Sequence, residues 1–325
     1  MSSSSWNSPD IGERHILDAD EYLRELGGWE IKCAQLSPGV FVGNTQHVEF
    51  PTFGIIRKTT NRILLKTGCT PEGTCTIGMP LSQSSLAYHN GQRLSPGHVA
   101  LLTSGAEFEL RTPEAFDFLV VNVSTDTLSH YLNDQELETT GLLTTGKGVV
   151  FHSANTQQLS STLLQVLDTA NDAPEKLAQT AFLEESVMLA VANCIANRST
   201  TSSNLSVRES RRRLVERAQH YLQRMLDHDI LIADMCHELG TNPRTLQDAF
   251  NEVFGVTPNA FIKALRLNNV RRELKEPSKR NDHIGDIAAH WGFWHLSQFA
   301  SDYRQAFGEL PSETKQRACS LPHNA

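Results

Sequence analysis

The amino-acid sequence predicts an α+β chain of two domains, a β-rich N-terminal domain and an all-α C-terminal domain. Three observations lead to this prediction. Short segments of β-branched and aromatic residues, separated by glycine and proline turns, fill residues 28–125. A polar run rich in Ser, Thr and Asn occupies residues 197–206. Beyond it the apolar residues recur with helical spacing, in two similar copies.

Length and composition indicate an ordinary globular chain. The 325 residues suffice for about two domains, and 39% of them are hydrophobic. No apolar run approaches the roughly 18 residues of a membrane helix, and the N-terminal MSSSSWNSPD lacks the features of a signal peptide. We therefore expect a cytoplasmic protein with no membrane segment. Its six cysteines follow no disulfide framework and are expected to be reduced: Cys33, Cys69, Cys75, Cys194, Cys236 and Cys319.

The net charge of −8 is divided unevenly along the chain. Residues 1–206 hold 12 Lys and Arg against 22 Asp and Glu, whereas residues 207–325 hold 17 against 15. Basic residues of the second part cluster in RESRRRLVER (208–217) and RLNNVRRELKEPSKR (266–280). A polyanion would therefore be attracted to the second part and repelled by the first.

The β-rich region continues into two predicted helices. Segments such as FGIIRKTT (53–60) and FDFLVVNVS (116–124) read as strands, and their number and spacing predict a sandwich or a small barrel. Residues 154–171 and 174–196 then read as two amphipathic helices.

The domain boundary is predicted from NRSTTSSNLS at residues 197–206. This run has no apolar periodicity and is typical of a linker. It divides an N-terminal domain, residues 1–196, from a C-terminal domain, residues 207–325.

The C-terminal domain contains an internal repeat. IADMCHELG (232–240) matches IGDIAAHWG (284–292), and the second copy has one more residue in its turn. Each copy reads as a short helix, a turn opened by glycine and a longer helix ended by glycine, which predicts two helix-turn-helix motifs joined by a linker helix. The paired positions are Ile232/Ile284, Asp234/Asp286, Leu239/Trp291, Gly240/Gly292, Leu246/Phe299, Phe250/Tyr303, Phe254/Phe307, Gly255/Gly308 and Pro258/Pro311.

The second helix of such a motif lies in the DNA major groove. In the first copy it is predicted to begin at NPRTLQDAF, with Asn242 as N-cap and Pro243 in the first turn. Leu246 and Phe250 face inward. Arginine pairs well with guanine, and Gln or Asn with adenine, so the outward polar side chains are predicted to contact bases. They are Arg244, Thr245, Gln247, Asp248 and Asn251.

In the second copy Phe299, Tyr303 and Phe307 recur every four residues, which places them on one helix face. Gly308 is predicted to end this helix. We interpret the three rings as core rather than as a binding platform. The opposite face is predicted to contact bases through His295, Ser297, Gln298 and Ser301, with Asp302 at its margin.

The stretch TPNAFIKALRLNNVRREL (257–274) is predicted to be the linker helix. Its 17 residues from Pro258 span roughly 25 Å, which is of the order needed to set two recognition helices in successive major grooves. Basic residues along it and nearby are predicted to contact phosphates: Arg266, Arg271, Arg272, Lys275, Lys279, Arg280 and Arg304.

From RRLVERAQHYL to IGDIAAHWGFWHLSQFASDYRQAFGELPSE, about 110 residues closely resemble the AraC/XylS family of bacterial transcription regulators, with GF…SQF…YRQAFGELPS as the most specific signature. Before them, AQLSPGVFVGNTQHVEF and AEFELRTPEAFDFLVVNVS are similar to the ethanolamine-utilisation activator subgroup. One departure concerns Asp248, because relatives commonly have a basic residue there. Arg244 and Gln247 fit the family pattern better.

The resemblance implies a sequence-specific transcription regulator, more often an activator, that binds double-stranded promoter DNA and contacts RNA polymerase. It also implies a jelly-roll-like β-barrel that senses a small-molecule effector, with the helical pair mediating a homodimer. Trp29, Phe41, Arg57 and Tyr88 are the candidate effector residues by position. An alternative is an N-terminal domain that only dimerises or docks protein partners.

Catalysis is not predicted, and neither is a cofactor. Cys69 and Cys75 form only one loose pair, whereas zinc sites show two short pairs or Cys with His at set spacing. His89 and His98 lack the spacing of an oxygenase triad. A DNA-repair alkyl acceptor linked to an AraC-like domain remains a remote alternative, since it needs an activated cysteine cluster.

Overall fold

The computed structural model describes residues 10–24, 29–81, 86–137, 140–143, 146, 148–174, 180–199, 205–228, 230–279 and 281–320. The chain divides into two compact units. The first comprises Met1–Cys33, Val42–Asn61 and Lys66–Thr201, and the second comprises Ala34–Phe41, Arg62–Leu65 and Ser202–Ala325. A β-rich unit is thus followed by a helical unit, which confirms the predicted two-domain α+β class.

Thirteen strands are described in the β-rich part of the chain. In chain order they are β1 (Asp10–Ile16), β2 (Glu30–Gln35), β3 (Gly43–Glu49), β4 (Phe53–Thr60), β5 (Leu64–Cys69), β6 (Thr74–Pro80), β7 (Ala87–His89), β8 (Gln92–Leu94), β9 (His98–Leu102), β10 (Glu107–Arg111), β11 (Phe116–Ser124), β12 (Gly148–Ser153) and β13 (Arg198–Ser199). They form an eight-stranded sheet in the order β1-β3-β4-β11-β6-β9-β12-β13 and a five-stranded sheet in the order β2-β5-β10-β7-β8. Every neighbouring pair in the eight-stranded sheet is antiparallel.

Helices of the same part of the chain connect these strands. They are α1 (Glu21–Arg24), α2 (Thr125–Asp134), α3 (Thr140–Leu143), α4 (Thr156–Asp172) and α5 (Thr180–Ala196). Two of them, α4 and α5, correspond to the predicted helical pair.

Strand β11 shows how one strand serves two cores. Leu119, Val121 and Val123 point to one face of the eight-stranded sheet and pack with buried residues of α2, α4 and α5. Phe116 and Phe118 point to the other face, into a core shared with residues of the five-stranded sheet. Successive side chains of a strand point to opposite faces, so a nearly continuous apolar run fills both cores.

The predicted strands at residues 53–60 and 116–124 are confirmed as β4 and β11. Three strands outside residues 28–125 were not predicted, namely β1, β12 and β13. The sequence of β1, DIGERHI, has little apolar alternation because the strand pairs at the edge of its sheet and exposes most of its residues. The jelly-roll topology stays a prediction.

The predicted linker, residues 197–206, is partly regular structure at its ends. Arg198–Ser199 pairs with β12, and a helix begins at Leu205. Residues 200–204 lie outside the described residues. Polar residues alone did not indicate these ends, because the ladder and the helix are stabilised by partners distant in sequence.

The helical unit contains α6 (Leu205–Met225), α7 (Ile232–Leu239), α8 (Pro243–Phe254), α9 (Pro258–Lys275), α10 (Ile284–His290), α11 (Leu296–Phe307) and α12 (Pro311–Ser320). A 3₁₀ turn at Pro277–Lys279 follows α9. Two hydrophobic cores organise the unit. Phe254 and Phe261 stack in the first, with Phe250 beside them, and Phe299, Tyr303 and Phe307 lie in the second.

The helical unit also includes two short segments that come earlier in the sequence, Ala34–Phe41 and Arg62–Leu65. Gln35 and Asn268 exchange two hydrogen bonds: the Gln35 N–H donates to Asn268 Oδ1 at 3.0 Å, and Asn268 Nδ2 donates to the Gln35 carbonyl at 3.0 Å. These contacts satisfy a buried amide on α9, which explains how a polar residue occupies that position.

Within the described ranges, no helix is both long enough and apolar enough to cross a membrane.

Candidate nucleic-acid interface

Both helix-turn-helix copies are opened and closed by glycines with left-handed backbone. Gly240 and Gly292 begin the turns with φ of 63° and 81°. Gly255 and Gly308 end the longer helices with φ of 72° and 76°. Residues other than glycine rarely adopt such φ values, so glycine is the residue suited to these four positions. The predicted repeat is therefore present in the backbone as well as in the sequence.

Helix α8 begins as predicted. The Asn242 side chain accepts a hydrogen bond from the Thr245 N–H at 2.9 Å, and Pro243 occupies the first turn. Leu246 and Phe250 are fully buried on the inner face. All five residues predicted to contact bases are exposed on the outer face: Arg244, Thr245, Gln247, Asp248 and Asn251.

Helix α11 buries its three rings, which confirms that they are core. Phe299, Tyr303 and Phe307 are buried and pack edge-on along the helix. The four predicted base-contacting residues, His295, Ser297, Gln298 and Ser301, are exposed on the other face.

The polar face of α11 is held in place by a link to α9. Gln298 Nε2 donates to a carboxylate oxygen of Asp302 at 3.1 Å, and Lys263 Nζ on α9 lies 2.8 Å from the same oxygen, Asp302 Oδ1. The Asp302 side chain is only 11% exposed. Its carboxylate thus orients the exposed Gln298 amide instead of projecting from the surface, while the Gln298 side-chain carbonyl oxygen keeps its capacity to accept a hydrogen bond.

Two apolar side chains at the start of α11, which were not predicted to contact DNA, also lie on this surface. Trp294 is 70% exposed and Leu296 is 53% exposed. Large exposed apolar groups beside a polar recognition face suit contact with a thymine methyl group or a sugar. The signal was present in the sequence, because both residues fall outside the four-residue spacing of the buried rings.

Helix α9 sets the distance between the two motifs. It has 18 residues, or about 27 Å of helix. Its N-terminus is capped by Thr257, whose hydroxyl accepts from the Ala260 N–H at 3.3 Å.

The residues predicted to contact phosphates differ in their surroundings. Arg304 is exposed on α11, and Lys279 is half-exposed with Asp282 at 3.4 Å. Arg266 donates to the carbonyls of Leu226 and His228, and Arg272 donates to Asn269. Lys275 is partly buried at the end of α9. Arg280 lies outside the described residues.

Arg271 departs from the prediction. It is 8% exposed, its guanidinium lies 4.5 Å from the centre of the Phe307 ring, and its Nη2 is 2.8 Å from Glu309 Oε1. Glu309 also accepts from Thr314, whose hydroxyl is in turn the acceptor for Tyr303. Because this network is buried, Arg271 stabilises the second motif and does not present its charge to a phosphate.

Three buried cysteines lack the character of activated nucleophiles. Burial raises the pKa of the Cys75 thiol to about 12, and it also raises the pKa of Cys194 and Cys236. An alkyl-accepting cysteine needs a lowered pKa, since the thiolate is the nucleophile.

The first unit contains a cavity of about 70 Å³ between its two sheets. Its walls include the rings of Trp29, Phe108 and Phe118. Its polar lining residues include Lys66 and His89. An apolar cavity with a few inward polar groups is typical of a small-molecule site.

Of the four predicted effector residues, Trp29 lines this cavity and the others do not. Phe41 is buried in the segment that belongs to the helical unit. Arg57 donates two hydrogen bonds to Asp117, the shorter at 2.8 Å. Tyr88 lies beneath the guanidinium of Arg111, 5.9 Å from it. Neighbouring residues of a strand point to opposite faces, and position in the sequence alone does not assign the face.

Helix α5 carries two exposed apolar side chains, Phe182 at 69% and Leu189 at 46%. They are seven residues apart and therefore lie on the same helix face. Neighbouring positions such as Val187 and Val191 are buried against α4 and the sheet.

A family described as a helix-turn-helix domain matches residues 235–317, which includes both recognition helices. The XylDLEGF operon transcriptional activator of Pseudomonas putida is 24% identical over 220 residues, 68% of this chain and 67% of the relative. The XylDLEGF operon transcriptional activator 1 of the same organism is 36% identical over 99 residues, 30% of this chain and 31% of that protein.

A solved structure is similar as well. The structure of a probable AraC family transcriptional regulator from Rhodopseudomonas palustris CGA009 is 33% identical, covers 33% of this chain and 97% of that chain, and aligns with a TM-score of 0.31.

Proposed function

The chain belongs to the AraC family of DNA-binding transcription regulators, and we propose that it reads two successive major grooves of a promoter through α8 and α11. Nine exposed residues of these helices then contact bases: Arg244, Thr245, Gln247, Asp248, Asn251, His295, Ser297, Gln298 and Ser301. Trp294 and Leu296 extend this surface.

The single observation that carries this proposal is the duplicated geometry. Two helices begin after left-handed glycines, bury aromatic rings on one side and expose polar side chains on the other. A helix of about 27 Å separates them. That length fits successive major grooves on one face of DNA, which lie about 34 Å apart.

Affinity that does not depend on sequence comes from basic side chains outside the recognition faces. We propose phosphate contacts by Arg304 and Lys279, which are exposed or half-exposed. Arg266, Arg272, Lys275 and Arg280 complete the proposed set. Arg271 is omitted because it is buried and paired.

The regulator is proposed to be an activator that contacts RNA polymerase at its promoters. The similar proteins of Pseudomonas putida are named transcriptional activators, which supports activation rather than repression. It acts in the cytoplasm, where bacterial promoter DNA is found, and without enzymatic activity.

The first unit is proposed to bind a small-molecule effector and to dimerise through α4 and α5. A filled sandwich would favour a domain that only docks proteins, whereas the cavity between the sheets supports the effector. The exposed Phe182 and Leu189 support a helical dimer interface. The effector acts as a switch only if it binds the competing conformations with different affinity.

Genome-wide occupancy of the tagged protein tests the proposal. We expect discrete sites that share two short motifs about one helical turn of DNA apart. Purified protein should bind the top site with an affinity that falls steeply with salt. Diffuse occupancy without a shared motif, both in cells and with purified protein on genomic fragments, would contradict the proposal that α8 and α11 read two successive major grooves.

A further inference from the structure

A lysine is buried in the cavity between the two sheets, and no carboxylate among the described residues forms a salt bridge with it. Lys66 on β5 is 6% exposed and lines the cavity. It forms no salt bridge among the residues that the structure describes, and its ammonium lies 4.9 Å from the centre of the Tyr22 ring. Burial lowers the pKa of Lys66 to about 8, so the side chain is still largely charged at neutral pH.

A second basic residue reinforces the positive character of the same wall. Lys58 on β4 also lines the cavity, and its ammonium lies 4.4 Å from the centre of the same Tyr22 ring. Its ammonium donates to the Tyr22 carbonyl at 2.7 Å. The two lysines thus approach one ring from two different strands.

The imidazole of His89 faces the same cavity. His89 is 3% exposed, and neither ring nitrogen has a hydrogen-bond partner within the described part of the chain. Burial lowers the pKa of His89 to about 4, which keeps the ring neutral at pH 7 with one N–H donor. Buried polar atoms are normally satisfied, and an unsatisfied one beside a cavity indicates a missing partner.

The other walls are apolar. Trp29 and Phe108 meet edge to face at 5.7 Å, and Phe118 and Val120 contribute from β11. An occupant must therefore combine an anionic group for the ammonium with a hydrocarbon part for the rings.

The size of the cavity limits the occupant. A cavity of 150 Å³ lined by apolar residues binds benzene, and this one has about 70 Å³. A ligand of a few heavy atoms fits it, whereas a long acyl chain does not.

We propose that this cavity binds a small monocarboxylate with a short hydrocarbon body. The carboxylate accepts from Lys66 Nζ and from the N–H of His89, and the hydrocarbon part lies against Trp29, Phe108 and Phe118. The inference rests on the proposed effector-binding role of the first unit and gives the effector its chemical class.

Calorimetric titration of the full-length protein with propionate tests this assignment, and propionamide is the neutral ligand of nearly the same shape. We expect propionate to bind and to raise the melting temperature, and propionamide to bind at least tenfold more weakly. Formate lacks the hydrocarbon part and decanoate is too long, so both should also bind at least tenfold more weakly. If propionate produces neither heat nor a melting shift, or if any of the three other ligands binds as tightly, the assignment is overturned.

Two lysine variants distinguish binding at Lys66 from a general effect of removing a positive charge. Lys66→Met should weaken propionate binding at least tenfold, whereas Lys32→Met, which removes an exposed lysine on β2, should leave it unchanged. An equal effect of both variants would contradict a site at Lys66. DNA binding of the same preparations is measured independently, by a gel shift on the most strongly occupied genomic site. Intact DNA binding without propionate binding would refute the ligand class and leave the DNA-reading function standing.

Discussion

Lys263 on the linker helix and Asp302 on the second recognition helix form an ion pair with 2.8 Å between Nζ and Oδ1. The same Asp302 oxygen accepts from the Gln298 amide at 3.1 Å. One carboxylate therefore connects the spacer between the motifs with a residue proposed to read a base. The position of Gln298 depends on α9 as well as on its own helix.

The Lys263–Asp302 pair should be worth more than an ordinary surface pair. Asp302 is 11% exposed, so solvent screens it little, although Lys263 remains 47% exposed. A double-mutant cycle of Lys263→Met and Asp302→Asn, measured by urea unfolding, should give a coupling free energy of about 1 kcal/mol. The exposed Lys279–Asp282 pair is the matched control and should give a value near zero. Equal coupling in both pairs would contradict a special role for Asp302.

Two arginine variants should distinguish residues that contact bases from residues that contact phosphates. Arg244→Ala removes an exposed side chain from the reading face of α8, and it should cost about 1–3 kcal/mol on the top site and relax one base position. Arg304→Ala should weaken binding to all sequences alike and reduce the salt slope by about one. Gel shifts with a library of single-base operator variants at several salt concentrations measure both effects. The division fails if the two variants have the same sequence profile.

The buried network around Glu309 should be important for stability and irrelevant to phosphate binding. Glu309→Ala would leave the Arg271 charge buried without its carboxylate, so we expect a loss of about 3–5 kcal/mol in the free energy of unfolding. Arg271→Met keeps the apolar contact with Phe307 and should preserve the salt slope of DNA binding, unlike Arg304→Ala. A reduced salt slope in folded Arg271→Met protein would restore Arg271 as a phosphate contact.

The sequence predicted those features that depend on neighbours close along the chain. The four-residue spacing of Phe299, Tyr303 and Phe307, the Asn242 cap and the turn glycines all follow from local helix rules. Features that depend on distant partners were not predictable in this way. The burial of Arg271 depends on its ion pair with Glu309, which follows the second helix-turn-helix motif in the sequence. The sheet face on which the Arg57 side chain lies depends on the register between β4 and β11.

The exposed face of α5 should control the oligomeric state. Phe182→Asp adds a charge to the apolar surface shared with Leu189, so a dimer formed through this face should dissociate. Light scattering with size exclusion should show half the wild-type mass. Glu185→Asp, at an exposed position on the same helix, is the control and should leave the mass unchanged. A dimer that persists in Phe182→Asp would move the interface elsewhere.

Lys66 should make the free energy of unfolding rise with pH, as expected of a buried lysine whose pKa is lowered in the folded protein. Its pKa is about 8 in the folded protein and near its ordinary value of 10.5 in the unfolded chain. Between these values the unfolded chain binds more protons, so the free energy of unfolding contributed by this group rises with pH. Below about pH 8 the folded protein carries the full cost of the buried charge. Above 10.5 the cost is gone.

Lys66→Met removes the charge and fills a similar volume. We expect the variant to be more stable than the wild type at pH 7, by about 3 kcal/mol as an order of magnitude from a shift of this size, and the difference to shrink as pH rises from 8 to 10.5. Urea unfolding of both proteins across this range gives the difference, to which titration of the neighbouring Cys33 thiol also contributes. A difference that stays constant with pH would mean that Lys66 is not charged at neutral pH, or that its charge is already balanced, and the carboxylate site would lose its main support.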